Sequence, residues 1–161
     1  MKSLIRILFI CLLGITACGK INNYSDTLQV HFISFSYPDT LLLFSFIDGN
    51  GDFGLSAADT LPPFTKNTNN LFISMYKKSN NQYTLIQPNF IGYRCDVPSP
   101  TGQDQTLIGQ ATVHMNGVMN VPSFIPDTFM LKFYIQDRAF HNSNVDSTPD
   151  LYKINIGKNI N

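Results

Sequence analysis

The 161-residue chain is 43% apolar and 14% charged, with a formal net charge of +0, no Trp, ten Gly and nine Pro. That composition suits one domain with a core of its own, and it excludes a charge-rich disordered chain or a basic nucleic-acid binder. All eleven acidic residues are Asp; with no Glu and little Ala, the commonest helix formers are missing and strands are expected.

Lys2 and Arg6 flank the start of an apolar run from Leu4 through Leu13. The run is shorter than the roughly 20 residues a membrane-spanning helix needs, so residues 1–17 read as a secretory signal peptide. Its end, Ile15-Thr16-Ala17-Cys18, resembles the lipobox of bacterial lipoproteins: an aliphatic residue and two small ones before the cysteine that opens the mature chain. The resemblance implies a diacylglycerol on the Cys18 sulfur and a third acyl chain on its amine. At about 0.8 kcal/mol per buried CH2, two or more chains hold a protein stably where one does not. A membrane partner and lipid anchoring to the outer membrane of the cell envelope are therefore expected. Periplasmic and surface-facing placement both stay open, because Gly19-Lys20-Ile21-Asn22-Asn23 lacks the acidic cluster that resembles a surface-export signal.

Without the leader, nine Lys and Arg face eleven Asp, a charge of about −2 with no basic patch for a nucleic-acid backbone. Cys11 leaves with the leader and Cys18 is acylated, so Cys95 has no partner for an intrachain disulfide. No Cys-His motif surrounds it, and it reads as a small buried residue.

Residues 18–27 form the lipidated Cys and a polar tether, and 28–161 the domain. Strands are expected at 28–36, 40–47, 70–77, 82–87, 90–96, 106–115, 128–137 and 151–157, separated by Asn, Gly, Pro, Asp and Ser clusters. From Leu41 to Ile47 the chain is apolar with little alternation, as in a central strand of a covered sheet. Lys78-Ser79-Asn80-Asn81 predicts a hairpin turn. Phe129, Leu131, Phe133 and Ile135 share one face of their strand at a period of two. Seven or eight strands without helices predict an all-β, immunoglobulin-like antiparallel β-sandwich, with a small barrel as the alternative. Tyr134-Ile135-Gln136-Asp137-Arg138-Ala139 with Asn142-Ser143-Asn144 resembles the end of the penultimate strand in immunoglobulin-like modules of bacterial surface proteins. There an Asp-x-Ala-Gly-Asn run follows; here Phe140-His141 replaces the glycine.

The densest chemistry lies in Asp48-Gly49-Asn50-Gly51-Asp52-Phe53-Gly54-Leu55, ending at Asp59. Counted from Asp48, oxygen side chains fall at positions 1, 3, 5, 9 (Ser56) and 12 (Asp59), the spacing of an EF-hand-type Ca²⁺ loop, where alternate side chains converge on one hard cation. Phe53 stands where that loop has Gly, and Asp59 replaces the bidentate Glu. The preceding segment is a strand, so the run looks more like the Asp-rich loops between strands of calcium-bearing bacterial surface domains. Phe44-x-Phe46-x-Asp48-Gly49-x-Gly51-Asp52-x-Gly54 also resembles uncharacterised Bacteroidetes lipoproteins of similar size. In a sandwich whose strands B and F are 40–47 and 128–137, the loops 48–69 and 138–150 leave at the same end. Asp137, Asn142, Asn144 and Asp146 are then expected to complete a site begun by Asp48, Asn50, Asp52 and Asp59, with Ca²⁺ as the cofactor. A plain Asx/Gly turn without metal is the competing reading.

Catalysis has little support: no nucleophile elbow, zinc-protease helix or phosphate loop occurs. His31 and His114 fall on polar strand positions, and only His141, beside Asp137, lies near candidate chemistry. Tyr76, Tyr83, Tyr93, Tyr134 and Tyr152 are candidates for a sugar or peptide platform, against the commoner role of sheet cover. Asp-Thr-Leu at 26–28, 39–41 and 59–61 resembles an O-glycosylation acceptor of Bacteroidetes envelope proteins, although Asp and Thr also favour turns before strands. The expected function is non-enzymatic binding or assembly in the envelope. A glycan- or peptide-binding accessory of an uptake complex is the alternative, and a metal-assisted hydrolase stands third.

Overall fold

The structure, a computed structural model, describes residues 24–98, 106–119 and 122–156, without the side chains of 87–90, 118 and 122. In chain order its strands are β1 (Gln29–Ser36), β2 (Leu41–Asp48), β3 (Leu71–Ser79), β4 (Gln82–Tyr93), β5 (Leu107–His114), β6 (Thr128–Ile135), β7 (Asp146–Ser147) and β8 (Leu151–Tyr152). One sheet has the order β1-β2-β5; the other has five strands, β4-β3-β6-β7 with β8 also paired to β6, and every pairing is antiparallel. With β2 as strand B and β6 as strand F, this is the immunoglobulin-like arrangement of two antiparallel sheets, not a closed barrel.

Period-two alternation builds the interior. Leu42, Phe44 and Phe46 of β2 face Leu71, Ile73 and Met75 of β3 and Phe129, Leu131, Phe133 and Ile135 of β6, all buried. The Phe44 and Phe133 rings meet across the two sheets at 5.2 Å. Each such side chain contributes about 1.5–3 kcal/mol on burial. β2 does sit centrally in its sheet, but it alternates: Leu41, Leu43, Ser45 and Ile47 are half-buried, because only the inner face of that sheet meets a second layer among the described residues.

Boundaries moved where backbone chemistry overrode hydrophobicity. The expected strands 82–87 and 90–96 are one strand, β4, with a bulge: Ile91 opposes Ile73 while Gln87 opposes Met75. Pro88, which has no N–H to give the ladder, sits in that bulge. Residues 94–98 continue as loop. The expected strand 151–157 keeps only Leu151–Tyr152 before a 3-10 turn at Lys153–Asn155. A short helix, α1 (Asn116–Met119), and a 3-10 turn at Pro122–Phe124 lead from β5 to β6. Asn80 and Asn81, both left-handed at φ 51° and 59°, close the predicted β3–β4 hairpin. Phe140, standing where the resembling modules have glycine, is itself left-handed at φ 65°.

No helix among the described residues is long and apolar enough to cross a membrane. The expected signal peptide (1–17), Cys18 and residues 19–23 lie outside the described residues, as do 157–161.

Candidate metal centre

The alternation that buries Phe44 and Phe46 carries Asp48 inward at the end of β2, and the alternation that buries Phe133 and Ile135 does the same for Asp137 just after β6. Asp48 is 0% and Asp137 5% exposed. Two facing strands therefore each finish by driving a carboxylate into the mouth of the sandwich. The following loops are stitched together there: the Arg138 N–H donates to the Asp52 carbonyl at 3.3 Å.

Asp48 Oδ2 accepts the Phe53 N–H at 2.8 Å. Its Oδ1, and Oδ1 of Asp52, are buried with no hydrogen-bond partner among the described residues. Burial raises the Asp48 carboxyl above the ordinary value of 3.8; the N–H groups of Phe53, Gly51 and Asn50 oppose this, and the Asp137 charge adds to it. Asp52 is raised first by burial and then by the charges of Asp137 and Asp48. A buried acceptor without a donor costs about 1–3 kcal/mol, more when charged. Here two such oxygens share one electrostatic environment with a third carboxylate. A hard cation suits that donor set, since it takes carboxylate oxygens and fills the remaining positions with carbonyls and water. Among the described residues no group of three or more His, Cys, Asp or Glu side chains lies close enough together to hold a metal ion, so a cation held by Asp48 and Asp52 would take its remaining positions from carbonyl and water oxygens.

Asp137 is partly satisfied: Oδ1 accepts the His141 N–H at 2.8 Å, and Oδ2 lies 3.2 Å from His141 Nδ1. The His141 side chain is 76% exposed, so it neutralises Asp137 only when protonated and is not the floor of a cleft.

The other expected ligands are placed differently. Asp59 pairs with Arg138 through two bonds of 2.6 and 2.8 Å and accepts the Ser56 N–H at 2.6 Å. Arg138 and that N–H hold its carboxyl well below the usual carboxylate range. Asn50 points to solvent. Asn142, also exposed, accepts from Gln136 Nε2 at 3.0 Å. Asn144 and Asp146 clasp the edge of β1: Asn144 Oδ1 accepts the Val30 N–H at 2.8 Å and its Nδ2 donates to the Val30 carbonyl at 2.9 Å, while Asp146 Oδ2 accepts the Phe32 N–H at 2.6 Å. These two side chains stand in for a neighbouring strand, and their oxygens are spent there.

The loop is accordingly not an EF-hand. Phe53, at the glycine position, is buried against Phe46 with ring centroids 5.1 Å apart and pins the loop to the core. Left-handed glycines flank it instead: Gly51 has φ 71° and Gly54 φ 102°, and a Cβ on Gly54 would lie 2.5 Å from Val97 Cα.

Sequence reasoning missed the roles of Arg94 and Arg138. Arg94 donates from Nη1 to the Thr65 and Thr68 carbonyls at 3.0 and 3.2 Å, and from Nη2 to those of Ser56 and Asp59 at 2.8 and 3.0 Å. Arg138 lies over the Phe64 ring at 5.1 Å while pairing with Asp59. Both guanidinium groups therefore brace the 48–70 loop. Their scarcity was the available signal: a chain with eight Lys and three Arg places Arg94 and Arg138 where a planar fork is needed.

His31 and His114 are exposed, as their strand positions predict. The tyrosines do not line up in one row: Tyr134 stacks on Phe72 at 5.1 Å, Tyr76 lies under Lys132 at 4.9 Å, and the Tyr93 hydroxyl donates to the His114 carbonyl at 2.8 Å. Tyr83, bonded to Asp150, and Tyr152 are more exposed. Of the Asp-Thr-Leu runs, Thr40 is buried and left-handed, whereas Thr27 is exposed. Burial pushes the Cys95 thiol up to about 12, away from nucleophilic behaviour. A cavity of about 790 Å³ runs along β5, lined by Phe46, Phe53 and Tyr93 among others, and none of the three candidate carboxylates borders it.

No family model, no curated protein and no solved structure matches the chain.

Proposed function

We propose that this is a non-enzymatic lipoprotein of the Bacteroidetes type, held in the envelope through Cys18, whose β-sandwich is closed at one end by a Ca²⁺ ion and serves in binding or assembly. Asp48 and Asp52 hold the ion, with backbone carbonyls and water completing its shell and the Asp137 charge nearby. The observation that carries the metal is the pair of buried, unpartnered carboxylate oxygens on Asp48 and Asp52. With few charged ligands on a long loop, the affinity belongs with extracellular modules, on the order of 10⁻⁴ to 10⁻³ M. The ion ties the 48–70 loop to the turn after β6 and so fixes the surface the domain offers. A glycan partner best suits the outer face of the five-stranded sheet, where Tyr134 stacks on Phe72 and Lys132 covers Tyr76.

Calorimetric titration of the chain with CaCl₂ tests the site. One ion per chain is expected, with binding lost in Asp48→Asn and Asp52→Asn and unchanged in Asn50→Ala. Absence of Ca²⁺ heat from the folded wild type refutes the site. Membrane fractionation tests the anchor: Cys18→Ala should release the protein, and unchanged sedimentation with membranes removes lipidation from the proposal.

A further inference from the structure

We infer that the Asp48–Asp137 end of the sandwich is a membrane-docking face, laid against the bilayer that receives the Cys18 lipids. The inference rests on the lipidation proposed above and on where the described chain enters the domain.

Tyr24 and Ser25 pass directly over the start of the loop: a Cβ on Gly49 would lie 2.3 Å from the Ser25 carbonyl oxygen and 3.0 Å from that of Tyr24. The polypeptide thus reaches the fold at the end where β2 runs out. Six residues, 18–23, separate that point from the lipid, and at full extension they span about 20 Å. An eight-residue strand such as β2 is itself about 26 Å long. The tether is shorter than the domain, so the Asp48–Asp137 end is the one kept at the bilayer.

That end carries an apolar rim. Leu61 is 76% exposed and Phe140 47%, with Tyr24 and Val97 exposed beside them. Leu61 and Phe140 come from different loops but move as one body: the Phe64 N–H donates to the Leu61 carbonyl at 2.9 Å, and the Phe64 ring stacks on Phe140 at 5.4 Å. Arg138 also lies over the Phe64 ring while anchored to Asp59. A braced pair of large apolar side chains within tether reach of a bilayer suits interfacial insertion, in which apolar groups enter the headgroup boundary.

The chain has no Trp, so single reporters read insertion directly. The full chain is expressed with its leader as Leu61→Trp, Phe140→Trp or Ile154→Trp; Ile154 is 71% exposed and follows β8, which pairs with the start of β6 at the opposite pole. Each variant is reconstituted into phosphatidylethanolamine–phosphatidylglycerol vesicles with and without brominated acyl chains. Docking predicts blue-shifted emission and at least about twofold bromine quenching for the Leu61→Trp and Phe140→Trp reporters, with the Ile154→Trp reporter unchanged. Flotation and the mass of the Cys18 fragment report the anchor separately. Protein that floats while its Leu61→Trp reporter stays unquenched overturns docking and leaves lipidation standing; protein that does not float overturns both. A blue shift without bromine quenching means that a second copy covers the rim, and also overturns docking.

Discussion

Asp48→Asn should make the domain more stable in the absence of calcium and less stable relative to wild type in its presence. Asn keeps an oxygen for the Phe53 N–H, now 2.8 Å from Asp48 Oδ2, and places a neutral amide where Oδ1 lies buried without a partner. In chelator at neutral pH, removing that uncompensated charge should gain about 1–3 kcal/mol. For a domain of this size each kcal/mol moves the melting temperature by about 3 °C, so the variant should melt about 3–9 °C higher. With ~10 mM Ca²⁺ and a dissociation constant on the order of 10⁻⁴ to 10⁻³ M, wild type gains about 1.4–2.7 kcal/mol that the variant cannot, and the difference closes or reverses. The sign with pH follows from the raised carboxyl. Below the ordinary value of 3.8 both folded and unfolded states are protonated and the penalty is absent. It grows as pH rises from there through the raised folded value and is complete above it. The advantage of Asp48→Asn in chelator should therefore vanish by about pH 4. Melting followed by circular dichroism in chelator and in Ca²⁺, from pH 4 to 8, reads all of this. A variant that melts lower than wild type in chelator at pH 7 would refute the reasoning, because Asp48 would then be a stabilising loop cap and not a strained ligand.

Arg94→Ala removes four carbonyl partners from the 56–68 segment and should cost about 1–3 kcal/mol; limited proteolysis should open that segment first, and an unchanged cleavage pattern argues against the brace. Asn144→Ala leaves the Val30 N–H and carbonyl without their bonds of 2.8 and 2.9 Å and should cost about 1–3 kcal/mol. Hydrogen exchange at Val30 should accelerate, and protection equal to wild type would show that the clasp is dispensable. Cys95, its thiol pushed up to about 12, has a thiolate fraction on the order of 10⁻⁴ at pH 8. Cys95 is half-buried at the wall of the cavity along β5, so alkylation of the native protein should be slow relative to the unfolded chain, and labelling as fast as in the unfolded chain contradicts that environment.

The alternation at Phe129, Leu131, Phe133 and Ile135 was readable as a buried face, and the Asn80-Asn81 turn as a hairpin, because both signals are local. The β4 bulge was not, since hydrophobicity alone splits the chain at Pro88 where the ladder only buckles. At the site, spacing pointed to Asp48 and Asp52 but also recruited Asn50 and Asp59, and the shared end of the two loops added Asp137 together with Asn142, Asn144 and Asp146. Strand phase discriminates better. Phe44-x-Phe46-x-Asp48 and Phe133-x-Ile135-x-Asp137 put an acid in step with two buried residues at the ends of facing strands, whereas Asn144 and Asp146 are in step with the edge groups of β1. The roles of Arg94 and Arg138 depend on carbonyls brought together only by the folded loop, and no linear pattern announces them.

The clasp on β1 has a mechanical meaning. Under the proposed Cys18 anchor, drag on the protein would reach the domain through β1, and β1 is gripped on both flanks: by β2 along its ladder, and by Asn144 and Asp146 from the opposite sheet. Traction from such a leash would be divided between the two halves of the sandwich, so peeling away β1 requires rupturing both grips at once.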